Sequence, residues 1–590
     1  MRKRLVLGVV TVLVVFVLIG VSFLIDLARF PGPVKPTNYT AATDGIKSTF
    51  HRGVMYRYPE VVPLLEVSGD HYEMGLQYGV LLRREIVRSL ESYEKIIRWH
   101  AERTGVPRLL LTAGLKCAAR KLSRRLPDRF LEEIRGVSEG SGVPRDTILA
   151  ITLFYDVSEG KGCTGVLMRG RDHSIIHGRN NDTSGMGGEE LGKLTVVVKK
   201  NAEGYNAICH MDYPLYLGVE TGYNDKGLAF SEETLHVRHP DPGGFPIIYL
   251  ARIALEECSS LDELYPLFDR YSVIGAYGTV WSDRNEGRGV VVELTPTGWA
   301  ATELEKPILW NFNRIYDPEL AKQQRPYRGM VGSNSDRERI TSAFPSKTEY
   351  EIEDTVTFLR LQEGPDGTDY SWCGTRWPIC NWSGQQMMVF HPTGDGFYLA
   401  VGTYYAARQS IYHIHEDFSR PPELFMTGVP LEPLVEEVAK IENSLVSAGK
   451  KLQAFVELAK RYRDDANVQF IVAYYSFQQS RWDLFAEYAE RAYLMKPSVA
   501  EYKLYAGMAA YQQRQPEKAI AILEEIESAD LHPAQEIYRL FVLERALASI
   551  DPERSAQYKT LKEAILNGHD AGSYFESSVL PLLNGLETTE

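Results

Sequence analysis

Cys163 sits in the run Gly162-Cys163-Thr164-Gly165, and Gly178-Arg179-Asn180-Asn181-Asp182 follows it. Arg179 lies 16 positions and Asp182 19 positions after the cysteine. Glycine before the cysteine lets the backbone bend tightly at that bond. A strand, a turn and a returning strand then bring an arginine and an aspartate back beside the thiol. Arginine stabilises negative charge and clamps carboxylates, and an aspartate orients an amine. These are the requirements of a nucleophilic cysteine whose base is its own α-amino group. A free thiol titrates near about 8.5 and a lysine near about 10.4, whereas an α-amine titrates at about 7.7–8.0. An α-amine is therefore a serviceable general base near neutral pH. Cys163 is internal, so that amine exists only if the Gly162–Cys163 bond is first cut.

Three further motifs accompany the cysteine. Upstream run Gly69-Asp70-His71-Tyr72-Glu73-Met74-Gly75-Leu76-Gln77-Tyr78-Gly79 and Glu132-Glu133-Ile134-Arg135-Gly136-Val137-Ser138-Glu139-Gly140. Downstream comes Gly222-Tyr223-Asn224-Asp225-Lys226-Gly227-Leu228. Together with Cys163 they resemble, over roughly residues 55–415, the acyl-CoA:6-aminopenicillanic-acid acyltransferase family of N-terminal-nucleophile hydrolases, related to bile-salt hydrolases and acid ceramidase. The resemblance implies a four-layer αββα sandwich and autocatalytic cleavage between Gly162 and Cys163. It implies Cys163 as nucleophile, its freed amine as base and then acid, Asp182 holding that amine, and Arg179 beside the thiolate or a substrate carbonyl. The family's oxyanion asparagine falls on Trp310-Asn311-Phe312-Asn313, with the role carried to Asn311 and Asn313 as the alternative. A later Ser-x-x-Arg segment corresponds to Ser333-Asn334-Ser335-Asp336-Arg337-Glu338-Arg339, so Arg337 or Arg339 is expected to support the substrate site. Many members carry an asparagine after the glycine hairpin; here the run is Ser231-Glu232-Glu233-Thr234, which places Thr234 nearest the substrate.

The elements that must hold these residues follow from patterning. Residues 1–30 contain Arg2-Lys3-Arg4 and an apolar run of 21 residues from Leu5 to Ile25. As a helix that run spans roughly 32 Å, enough for a hydrocarbon core of about 30 Å. The basic cluster keeps the start of the chain cytoplasmic and puts the bulk outside the cytoplasm as a single-pass membrane protein. A cleaved signal peptide is the alternative. Residues 31–54, with Pro31-Gly32-Pro33, read as a linker. Residues 55–162 read as a helical pro-segment, with Tyr78, Leu81, Leu82, Ile86, Leu90 and Tyr93 at helical spacing. Residues 163–430 alternate β-branched runs such as Leu194–Val198 with a helical Ile247–Cys258, a layered α/β pattern. Residues 431–590 turn wholly helical, and Phe477-Gln478-Gln479 recurs 34 positions on as Tyr511-Gln512-Gln513. That period points to a tetratricopeptide-like repeat, with a plain helical bundle as the alternative. No cysteine follows Cys380, so this region is expected to be dispensable for bond chemistry and to serve a protein partner or substrate access.

Composition excludes several classes. A net charge of −13 without a basic stripe argues against nucleic acid. Six cysteines are too few for a disulfide scaffold; Cys373 and Cys380 are expected as buried thiols rather than a pair. His413-Ile414-His415 puts two imidazoles on one strand face, but no third ligand stands at zinc-like spacing, so satisfied surface histidines and no metal are expected. No cofactor is implied. Two function classes stand: an amidohydrolase or acyltransferase acting on a small amide, or a membrane-tethered binding protein with an inactive hydrolase core.

Overall fold

A computed structural model of the chain describes residues 30–153, 162–183, 191–325, 328–364, 377–390, 393–568, 583–584 and 586. The expected anchor run and Cys373 lie outside the described residues. Among those described, no helix is long and apolar enough to cross a membrane.

Two sheets form the centre. The larger has eleven strands, starting with Ala42–Asp44, Lys47–Phe50, Gly53–Tyr56 and Leu64–Gly69 and continuing from Val196–Ala202 to Gly298–Glu303. The smaller has seven strands, in the spatial order Ile308–Asn311, Gly162–Arg169, Ile175–Asp182, Gly384–Phe390, Phe397–Val401, Ile411–Ile414 and Glu423–Met426. Every pairing is antiparallel except Leu64–Gly69 with Val196–Ala202. The segment before Cys163 therefore supplies four strands of the larger sheet. Residues 31–54, expected as linker, hold two of these strands and the start of a third. They are three or four residues long and the first is wholly exposed, so they carry almost no period-2 apolar signal.

Alternation along the strands sets the layers. Val197 of the larger sheet and Met388 and Phe390 of the smaller share one core between the sheets. Val196 and Val198 face the helices His71–Leu81, Asp128–Ser141 and Ile247–Glu257 on the far side. Val166, Met168, Met387 and Val389 face Arg328–Ser342 and Ile352–Leu359 on the other far side. The order is helices, sheet, sheet, helices, because each strand of period two offers one apolar row to each neighbour.

The two upstream glycine motifs are one structure. Helices His71–Leu81 and Asp128–Ser141 cross with their backbones in contact. A Cβ on Gly79 would stand 2.6 Å from the Val137 carbonyl oxygen, and one on Gly140 2.5 Å from that of Leu76. Gly75 against Glu133 and Gly136 against Tyr72 are tighter still. A buried ionic cluster then ties this helix pair to the larger sheet. Lys200 Nζ lies 3.0 Å from Glu133 Oε1, Arg252 bridges Glu133 and Glu256, and Arg129 reaches Glu256 at 3.3 Å.

Beyond residue 430 the described chain is helical. Hairpins start at Ala466, Ala500 and Pro533. The 34-residue period is visible in the backbone: Ser480 and Arg514 both take positive φ, 54° and 60°. After them Arg481 N–H donates to Ser476 O and Gln515 N–H to Ala510 O, both at 2.9 Å, the same helix-ending turn twice. Val435 and Ala439 pack into the core outside the smaller sheet. Helix Pro533–Leu547 packs on Arg328–Ser342.

Candidate active site

Strand Gly162–Arg169 pairs with Ile175–Asp182 so that Gly162 faces Asp182, Cys163 faces Asn181 and Gly165 faces Arg179. The tight connection bends through Arg171–His173, with Asp172 and His173 at positive φ. Cys163, Arg179, Asn181 and His177 thereby share the face turned toward the larger sheet. Gly162, Thr164, Asn180 and Asp182 share the other face. All of these residues are buried.

The thiol is held on the inner side. Arg179 Nη2 donates to Cys163 Sγ at 3.4 Å, and Sγ lies 3.8 Å from Asn181 Oδ1. Arg179 is fixed by the Glu220 carbonyl at 2.9 Å, by Thr221 Oγ1 and by the Glu232 carbonyl. The Glu232 and Glu233 carboxylates flank it at 3.8 and 3.9 Å. A polar chain continues behind it: Ser231 Oγ donates to Glu233 Oε1 at 3.1 Å, and His177 spans Ser231 and Ser282 at 3.0 and 3.2 Å.

The backbone of Cys163 is held as firmly as its thiol. Its N–H donates to Asn313 Oδ1 at 2.9 Å, and Arg337 Nη1 donates to its carbonyl oxygen. Arg337 Nη2 also donates to Asn313 Oδ1 at 2.9 Å, and Asn313 Nδ2 donates to the Thr234 carbonyl at 2.9 Å. Asn334 locks the Asn313 backbone from both sides, at 3.2 and 3.1 Å. Asp182 Oδ2 accepts from Asn381 Nδ2 at 2.6 Å, while its buried Oδ1 accepts no hydrogen bond among the described residues. A bulge in the adjoining strand Gly384–Phe390, where Gly384 faces Asp182 and Gln386 faces Asn181, opens the sheet at this point.

Burial dominates the electrostatics. It pushes the Cys163 thiol up, against the pull of Arg179 and with the help of Asp182 and Glu233. It raises Asp182 to about 7, over the opposing Arg337, Asn381 and Arg179. It raises Glu233 to about 8, over Arg179 and Ser231, and Glu232 well above the usual carboxylate range, with Glu233 adding to the effect. The imidazole of His177 is lowered to about 3 by burial and by Arg179, so it is a neutral spacer.

The structure brings Cys163, Arg179, Asp182, Thr234 and Arg337 together. It does not bring Asn311 there. Asn311 pairs with Gly165, and its carboxamide lies against Gly278 and Glu293, with Nδ2 3.5 Å from Glu293 Oε1. Two residues further on, past the end of the strand, Asn313 takes the place beside Cys163. Thr234 contributes its carbonyl; its hydroxyl donates to Glu232 at 3.1 Å. Arg339 is two residues from Arg337, so about 200° around the helix, and stands half-buried away from the cluster. Asn181, Asn334 and Asn381 went unread in the sequence. Asn181 carried a signal, since it shares the parity of Arg179; Asn381 lies 199 positions from Asp182 and carried none.

Comparison with known proteins agrees with the resemblance read from the motifs. Relatives include an N-acylethanolamine-hydrolyzing acid amidase of Caenorhabditis elegans, 25% identical over 208 residues, 32% of this chain and 56% of that protein. Another is acid ceramidase of Mus musculus, 23% identical over 192 residues, 28% of this chain and 48% of that protein. The chain thus spans about half the length of the curated relatives it matches. Among solved structures, a mutant conjugated bile acid hydrolase from Clostridium perfringens is 12% identical, covers 46% of this chain and 99% of its own, and has a TM-score of 0.29. Residues 168–365, beginning five positions after Cys163, match the family model of acyl-coenzyme A:6-aminopenicillanic acid acyl-transferase.

Proposed function

We propose that this chain is a self-processing cysteine amidase with an αββα N-terminal-nucleophile core, hydrolysing or transferring the acyl group of a small N-acyl amide. One observation carries the reading: polar groups are built around the Gly162–Cys163 backbone as well as around the thiol. Asn313 takes the Cys163 N–H, Arg337 takes its carbonyl, and Asp182 lies across the ladder from Gly162 with one carboxylate oxygen unused. A purely structural buried cysteine needs none of this.

In the processing step Cys163 Sγ bonds to the Gly162 carbonyl carbon and the amide C–N bond breaks, the nitrogen taking the thiol proton. Water then hydrolyses the thioester, leaving a carboxylate on Gly162 and a free α-amine on Cys163. In the mature site that amine removes the thiol proton, Sγ attacks the substrate carbonyl, and the protonated amine delivers its proton to the leaving nitrogen. Asp182 holds the ammonium. Arg179 steadies the thiolate, and the Asn313 carboxamide takes the oxyanion role assigned from sequence to Asn311. Water or an acceptor amine completes the cycle. The names of the relatives point to amides of amino alcohols as substrates. Residues 5–25 would tether the processed upstream chain to a membrane, with the catalytic bulk outside the cytoplasm.

The test is intact mass and turnover of purified full chain on an N-acylethanolamine and a ceramide. Two fragments, the larger beginning at Cys163, and a Cys163→Ala chain that stays whole and inactive are expected. Active enzyme that remains a single full-length chain refutes the proposal.

A further inference from the structure

We propose a second, non-catalytic site: a zinc site at the far edge of the smaller sheet, built from Asp395, His413 and His415 with Glu423 beside them. Strand Ile411–Ile414 lies four inter-strand steps from the Cys163 strand, so the site stands about 19 Å away across the sheet. It is therefore independent of the nucleophile.

Sequence spacing gave only two of the donors, because the third comes from a neighbouring turn. His413 and His415 share a face of one strand end, and their rings lie 4.4 Å apart. Asp395 reaches them from the turn Gly394-Asp395-Gly396. Both glycines have positive φ, 83° and 80°, and a Cβ on Gly396 would run into the Ile414 carbonyl, so the turn is pressed flat against the histidine strand. One donor atom from each of Asp395, His413 and His415 lies within 4.8 Å of the others. The next strand faces His413 with Glu423, whose Oε1 stands 3.1 Å from His415 Nε2.

His415 supplies the independent observation. It is only 3% exposed, and neither ring nitrogen makes a hydrogen bond among the described residues. Nδ1 instead faces Asp395 Oδ2 at 3.6 Å and Nε2 faces Glu423. A buried imidazole beside carboxylates suits a cation ligand, and its burial departs from the surface histidine expected from the sequence. His413 Nε2 lies 2.5 Å from the Asp395 carbonyl, the kind of outer contact that fixes a ligating ring. Tetrahedral zinc with bonds of about 2.0–2.1 Å holds its donors about 3.3 Å apart, and the exposed Asp395 side chain can swing that far, while Glu423 stands at the other ring nitrogen of His415 as an outer contact. Two imidazoles with carboxylates favour zinc over calcium or magnesium, which take oxygen alone. Bound there, the ion would clip the turn Gly394-Asp395-Gly396 to the histidine strand near an open sheet edge, which is otherwise prone to pairing with other chains.

The experiment uses the full chain, stripped with chelator and dialysed against zinc chloride, with bound zinc and melting temperature measured. About one zinc per chain and a higher melting temperature are expected, unchanged in Cys163→Ala. Asp395→Asn, on an exposed turn that tolerates the change, and His413→Gln should each weaken zinc binding at least about tenfold. Negligible zinc on the unsubstituted chain, or equal zinc on Asp395→Asn and His413→Gln, overturns the proposal and leaves His415 as a buried structural histidine beside two carboxylates.

Discussion

At the scale of single residues, register decides which polar side chain meets the Cys163 backbone: the pairing of Asn311 with Gly165 leaves Asn313, two residues on, opposite Cys163. Asn311 and Asn313 are equivalent in composition, yet only Asn313 touches Cys163. We expect Asn313→Ala to lower turnover at least about 100-fold, as loss of an oxyanion donor does. Asn311→Ala should act mainly on melting temperature, with turnover of the folded fraction nearly kept; comparable losses of turnover in both would refute the assignment. Arg179→Ala should likewise cost at least about 100-fold, because the thiol loses the guanidinium that donates to it. The acids make a pH prediction. Burial raises Asp182 to about 7 and Glu233 to about 8, while in an unfolded chain they titrate near about 4. Between about pH 4 and about pH 8 the folded state holds protons the unfolded state has released, so these two groups make stability fall as pH rises through that window. In the uncut Cys163→Ala chain, Asp182→Asn and Glu233→Gln should each flatten that fall, read as the urea midpoint against pH. An identical slope in all three chains would show that the groups ionise freely.

At the scale of elements, the four helix-crossing glycines of the two upstream motifs are steric, not conformational. Gly75, Gly79, Gly136 and Gly140 let two helix backbones touch, and that contact seats Glu133 beside Lys200 and Arg252 under the larger sheet. Gly136→Ala must push the helices apart or strain them, at a cost of about 1–3 kcal/mol in unfolding free energy. Gly114 serves as a control in the same segment, since a Cβ there meets nothing within 4 Å. Gly114→Ala, in the helix Arg108–Ser123, should be neutral or stabilising. Chemical denaturation of the two variants checks the difference, and equal midpoints would contradict the steric account.

For the whole molecule, the helical region is a support of the site and not an appendage. Val435 and Ala439 complete the core outside the smaller sheet, and helix Pro533–Leu547 rests on the helix that carries Arg337. Asn443 Nδ2 donates to the Trp382 carbonyl at 2.8 Å, next to Asn381, the partner of Asp182. A chain ending near residue 430 should therefore lose self-cleavage or slow it severely and expose apolar surface, contrary to the dispensability expected from the absence of a nucleophile there. Gel analysis of processing and dye binding by the truncated chain read both effects. Normal processing by a soluble truncated chain would restore the simpler domain boundary.

Local chemistry was legible in the sequence wherever its parts lie close along the chain. The Gly162-Cys163 junction, Arg179 at 16 positions and Asp182 at 19 belong to one hairpin, whose register follows from alternation and a short turn. The 34-residue spacing also has a backbone counterpart, because the first helix of each hairpin from Ala466 and Ala500 ends in the same positive-φ turn, at Ser480 and Arg514. What only the tertiary structure decided lies between distant segments: the choice of Asn313 over Asn311 beside Cys163, and Asn381 against Asp182. Four short upstream strands joining the larger sheet belong with these, since their pairing partners, not their own residues, make them strands. A sequence fixes periodicity and near spacing through backbone geometry. Which buried polar groups meet across two packed sheets depends on register and burial in segments more than 100 residues apart, and no local pattern encodes that.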